Sequence, residues 1–214
     1  MTESSILKTG PVKRTWKSRY SKLLLCRGYI AQPADPARME TIKVEHEAIK
    51  LQTRIKTRTF YNWRLYGSDI PIQNNQCTGK IDDYYLNRDK MLVPHMFVVA
   101  EYVSSPYARL DKLVDCALSV ILLREKGIDA GGVAFARDRS TPLTEPLIQS
   151  VTGMLENFTK LSGLDDEELL DHVNPASGLC YYCINKMCGQ YNRMRNTNMY
   201  EQGKSDGIQR RLWS

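Results

Sequence analysis

No run in this 214-residue sequence approaches the ~18–20 apolar residues that a membrane span requires, so no membrane partner is expected. The apolar "LLLC" at 23–26 is far too short for the core of a signal peptide. Phosphate-binding glycine loops, nucleophile elbows, paired zinc-protease histidines and dinucleotide glycines are all missing. "GIDAGG" (127–132) has glycines but neither the spacing nor a preceding strand. Only three histidines occur, His46, His95 and His172, far apart in the chain. Six unevenly spaced cysteines do not resemble a secreted disulfide framework, which points to a cytoplasmic or otherwise intracellular protein. These absences favour a non-enzymatic reading.

Acidic residues are missing from one long stretch as well. None lies between Glu3 and Asp35, whereas Lys8, Lys13, Arg14, Lys17, Arg19, Lys22 and Arg27 all do. The opposite sign gathers in "DDEELLD" at 165–171. Such segregation within a net charge of +6 suits a polyanionic partner for the N-terminal arm, or a solvated basic arm.

Helical periodicity dominates what is present. A short helix is expected around 15–26. Val44, Ala48 and Leu51, at i, i+4 and i+7, give one apolar stripe, read as the buried face of a helix over 42–52. Residues 107–122 and 147–161 keep helical spacing and are expected to pack together. Strand candidates are few, "MFVVAEYV" (96–103) and "GGVAFA" (131–136), and 67–95 reads as loop-like. The expected fold is mainly α. It would comprise a basic arm with a DNA-binding segment (1–66), an irregular connector with one short strand (67–105), a helical core (106–173) and a Cys-rich module with a basic tail (174–214).

"IKTRTFYNWRLYG" (55–67) holds three basic and four aromatic side chains and no acid. "TRTFYNW" resembles the end of recognition helices in helix-turn-helix proteins, with Thr53 and Arg54 where a turn glycine usually stands. The resemblance covers about residues 43–66. It implies a second helix from Lys56 or Thr57 to Tyr66 that enters the major groove with Lys56, Thr57 and Arg58 leading. Tyr61, Asn62 and Arg64 would then face the backbone, and Phe60 and Trp63 the first helix. Two other readings stand beside it: a basic helix with an aromatic core face, and single-strand or RNA binding with Tyr61, Trp63 or Tyr66 as stacking platforms.

"HVNPASGLCYYCINKMCG" (172–189) carries His172, Cys180, Cys183 and Cys188. The C-x2-C pair suits a structural zinc site with Cys188 and His172 completing it; buried helical thiols are the alternative. The tail beyond contributes Arg193 and Arg195 as further phosphate contacts.

The leading expectation is therefore a transcription-regulator-type protein binding duplex DNA through Lys13, Arg14, Lys17, Arg19, Lys56, Thr57, Arg58, Tyr61, Asn62, Arg64, Arg193 and Arg195. Homo-oligomerisation is compatible with it. A second expectation is a subunit of a ribonucleoprotein or a viral or plasmid-encoded assembly, binding RNA or protein. A third is a metal-dependent nuclease using Asp82, Asp83 and Asp89 in "KIDDYYLNRDK".

Overall fold

A computed structural model of the protein describes residues 15–26, 29, 33, 35–74 and 77–161. It overturns the mainly α expectation: the fold is α/β, a six-stranded mixed sheet with helices on both faces. The chain runs β1 (Thr15–Trp16), α1 (Lys17–Leu25), α2 (Pro36–Phe60), β2 (Trp63–Gln73), β3 (Cys77–Asn87), β4 (Phe97–Val103), α3 (Leu110–Arg124), β5 (Ala130–Ala136), β6 (Ser140–Pro142) and α4 (Glu145–Leu161). Residues 67–95 carry most of β2 and all of β3 because neither strand has to alternate in hydropathy. β2 is an edge strand exposed along most of its length. β3 is buried but polar at Asp82 and Asp83, whose charges are matched from α2.

β2 pairs antiparallel with β3 from Trp63↔Asn87 to Gln73↔Thr78 and so fills one edge of β3. β1, parallel to β3 at Cys77 and Thr78, and β4, antiparallel to it at residues 83–86, must share the other edge. β4 continues the sheet through parallel pairing with β5, which pairs with β6. The gap between β1 and β4 opposite residues 79–82 of β3 locates the site described below.

β4 is the central strand, and its alternation divides the core. Val98, Ala100 and Tyr102 join Ile49, Trp63, Tyr85, Val133 and Phe135 beneath α2. Val99 turns the other way, to Val114, Leu118 and Ile121 of α3, Tyr20 and Leu25 of α1, and Ile148 and Val151 of α4. α3 is buried nearly all round, from Leu113 to Leu123, which explains why its hydrophobicity spreads beyond one stripe. Cys26, Cys77 and Cys116 are buried in this core. Burial pushes the Cys77 thiol up to about 11, so it behaves as packing rather than as a nucleophile.

α2 starts six residues before the helix expected over 42–52. Pro36 occupies its first turn and the Asp35 side chain caps it by accepting from the Ala37 N–H at 3.1 Å. The helix then continues through Thr53 and Arg54 without a turn, and Asn62, with φ of 50°, turns the chain into β2. Residues 43–66 thus form the greater part of one helix and the start of a strand rather than two helices. Among the described residues, no helix is long and apolar enough to cross a membrane.

The pair Gly131–Gly132 in β5 serves close packing on both sheet faces. A Cβ at Gly132 would stand 2.7 Å from Leu143 Cδ1 and 2.9 Å from Val120 Cγ2, and one at Gly131 would collide with Val93 and His95. Gly132→Ala is expected to destabilise the protein by ~1–3 kcal/mol through overpacking of α3 on β5. Equilibrium urea unfolding measures this, and an unchanged midpoint would show that α3 can retreat at no cost.

Candidate active site

β4 leaves β3 after Ala100, and a side chain replaces the lost ladder bond. The Tyr102 backbone N–H donates to Asp82 Oδ2 at 2.9 Å instead of to a β3 carbonyl. This divergence opens a cleft of about 330 Å³ whose lining includes Trp16, Lys17, His46, Asp82, Glu101 and Asp115. Five elements besides β3 deliver these groups: β1, α1, α2, β4 and α3.

Lys17 is the first residue of α1, and it lies over β3 because position 79 is glycine. A Cβ there would come within 2.7 Å of Lys17 Cβ. The ammonium donates to Glu101 Oε1 and, at 2.8 Å, to Ser119 Oγ. Ser119 in turn donates to the same Glu101 oxygen at 2.9 Å. Asp115, one turn before Ser119 on α3, has Oδ2 4.0 Å from Lys17 Nζ, and its Oδ1 is buried with no hydrogen-bond partner.

Both members of the Lys17–Glu101 pair are almost fully buried, at 6% and 9% side-chain exposure, and each is perturbed. Burial opposes the charge on Lys17, but Asp115 and Glu101 outweigh it and hold the ammonium above its ordinary pKa. Burial is the main cause that pushes Glu101 up to about 8. Lys17 pulls against the shift, while Asp82 and Asp115 add to it. One buried lysine thus stands among three acids.

On the α2 side, His46 Nε2 lies 3.0 Å from Asp82 Oδ2. The hydrogen bond to Asp82 raises the His46 pKa against the effect of burial. For Asp82, burial acts upward, but His46 and the Tyr102 N–H overcome it and hold the carboxyl below its ordinary value. Lys80 and Lys112 also line the cleft. Trp16 stands beside them, 68% exposed.

The sequence-selected residues are scattered by comparison. Lys17 belongs to the cleft rather than to a phosphate-holding arm, and Arg19 is exposed on α1. Lys56, Arg58, Asn62 and Arg64 are exposed, whereas Thr57 is fully buried against the sheet and Tyr61 packs on Trp63 at 5.3 Å between ring centroids. Lys13, Arg14, Arg193, Arg195 and the zinc candidates His172, Cys180, Cys183 and Cys188 lie outside the described residues. Of the three nuclease acids, Asp82 enters the cleft and Asp89 is exposed beyond β3. Asp83 points to α2, where it accepts two bonds of 2.7 Å from Arg54 and one of 2.8 Å from the Tyr102 hydroxyl. Glu101 and Asp115 escaped sequence reasoning. The available signal was a lone acid in each of two apolar runs, "FVVAEYV" and "LVDCALSV".

Among the described residues, no group of three or more His, Cys, Asp or Glu side chains is arranged to hold a metal ion. Oxygen donors of the kind a hard divalent cation takes are present, but not in a coordinating arrangement. Asp82, Glu101 and Asp115 offer carboxylate oxygens, one of them without a partner, and Lys17 now supplies the positive charge between Glu101 and Asp115.

The His46–Asp82 pair sets a pH window for stability. A raised His46 pKa contributes stability fully present below its ordinary value of 6.5 and lost as pH rises through the folded value. A lowered Asp82 pKa contributes stability that is lost as pH falls below 3.8 through its own folded value. The stability difference between the wild type and His46→Gln should therefore be largest between these limits and shrink above pH 6.5, as followed by urea midpoints across pH. A difference independent of pH would show that His46 does not titrate against Asp82.

No family model matches the chain, and no curated protein matches it. Among solved structures, one described as "Crystal structure of SSO0001" is similar over 70% of this chain and 68% of that one, at 15% identity and a TM-score of 0.36. A likeness at that level carries no argument about fold or function.

Proposed function

We propose that the chain is a metal-dependent nuclease whose active site is the cleft between β1, β3 and β4. The observation that carries this reading is the meeting of Asp82, Glu101 and Asp115 with Lys17 in one cleft, with a buried Asp115 oxygen left without a partner. Asp82, Glu101 and Asp115 would hold a divalent cation, which supplies Lewis acidity at a phosphoryl oxygen and eases deprotonation of water.

The chain's own groups account for the remaining requirements. Lys17 would neutralise charge that grows on the phosphoryl oxygens as water adds to phosphorus. His46, 3.0 Å from Asp82 at the cleft wall, would give a proton to the leaving oxygen as the P–O bond breaks. Lys80 and Lys112 would meet neighbouring phosphates, and the exposed Trp16 offers a face for a base. A nucleic acid is the phosphodiester that uses all three. This reading keeps the nucleic-acid partner and replaces a duplex-reading helix with a cleft.

The test incubates the purified chain with end-labelled single-stranded DNA, duplex DNA and RNA, in Mg²⁺ or Mn²⁺ and in chelator. Cation-dependent cleavage is expected, abolished by Glu101→Gln and slowed ~10²-fold or more by His46→Gln. Salt-steep binding without cleavage by any folded preparation is what a purely binding protein would give, and it contradicts the proposal.

A further inference from the structure

α2 presents its apolar side to solvent. The face against the sheet is largely polar, with His46, Lys50, Thr53, Arg54 and Thr57 directed at β2, β3 and β4. The opposite face carries Val44, Ala48, Leu51 and Ile55, all exposed, the three larger ones at 62%, 59% and 69%. An amphipathic helix ordinarily buries such a stripe.

The stripe has a symmetry of its own. Its steps of four, three and four residues are the alternation of a coiled-coil seam, and they read the same from either end. An antiparallel second copy therefore brings Val44 opposite Ile55, and Ala48 opposite Leu51, in both directions at once. The flanking charges agree with that register. Glu40 and Arg58 lie 18 residues apart, about five helical turns, and so stand on the same side of the seam. A two-fold axis perpendicular to both helices preserves that side and reverses direction, so Glu40 meets the partner subunit's Arg58 at each end. A parallel pairing would keep Glu40 and the partner subunit's Arg58 about 18 residues apart along the seam and form neither ion pair.

We infer that the outer face of α2 is a two-fold interface with a second copy of this chain, an antiparallel helix pair sealed by Val44, Ala48, Leu51 and Ile55 and registered by Glu40 and Arg58. The contact is isologous, so it closes at the dimer and does not propagate. The seam from Val44 to Ile55 is about 17 Å long, short of the usual stable interface, so assembly depends on concentration. It lies on the opposite sheet face from α1, α3 and α4, and does not depend on the activity proposed for the cleft.

Sedimentation equilibrium of the full chain over a range of concentrations tests this. The wild type should pass from monomer to dimer, and Leu51→Glu should remain monomeric. Glu40→Arg and Arg58→Glu should each weaken the dimer roughly tenfold. The double variant Glu40→Arg/Arg58→Glu should recover it, because the swap restores both ion pairs. All three substituted positions are exposed, and circular dichroism checks that each variant keeps the fold. A wild type that stays monomeric, a dimer indifferent to Leu51→Glu, or a double reversal no tighter than either single variant overturns the inference.

Discussion

A lysine and a glutamate buried together, Lys17 and Glu101, set the terms for much of this structure. Taking both charges out of water costs several kcal/mol per ion, and their attraction repays it only when the remaining hydrogen-bond capacity is used. Ser119 supplies one bond in each direction, and Asp115 adds a second negative charge to the field of one ammonium. Gly79 gives α1 its close approach to the sheet, and the two-residue β1 fixes the height at which Lys17 enters. A purely structural purpose would be served as well by apolar residues of the same volume. That such a pair is kept next to an open cleft is the main reason to regard it as chemistry.

The two faces of the sheet handle polarity differently. On the side of α1, α3 and α4 the core is apolar apart from the cleft cluster, Ser21 and Asp111. Beneath α2, an apolar patch centred on Trp63, Tyr85 and Phe135 gives way to ion pairs at the helix itself. The network around Asp83 is closed, since Arg54, Ser68, Tyr85 and Tyr102 all donate to it. Asp82, its sequence neighbour on the opposite side of β3's pleat, is bonded on one oxygen by His46 and Tyr102 and lines the cleft. Two adjacent acids thus have different roles: Asp83 anchors α2, and Asp82 bridges the strand divergence.

What the sequence disclosed follows from these environments. α3, α4, β4 and β5 were legible because each is apolar in a pattern that matches its burial. β2 and β3 were not, since an exposed edge strand and a strand carrying matched charges lack a period-two signal. The α2 stripe was legible as a helix and misread in orientation, because periodicity shows that a face is apolar without showing what it faces. In the basic aromatic stretch, Trp63 is a core residue of β2 and Thr57 a buried contact of α2, so the local likeness to a recognition helix came from residues with unrelated duties. Asp82 was visible as an acid worth suspicion. Lys17 stands 84 residues before Glu101 and 98 before Asp115, and only the fold joins them.

The central claim is that these acids and one lysine form a cation-dependent catalytic centre, and anomalous diffraction from crystals soaked in Mn²⁺ tests it most directly. The account predicts a peak bounded by Asp82, Glu101 and Asp115, with Lys17 Nζ drawn away from Glu101 and the partnerless Asp115 Oδ1 engaged. An empty cleft at millimolar Mn²⁺, with the Lys17–Glu101 contact intact, would contradict it and leave the cluster as a structural ion pair.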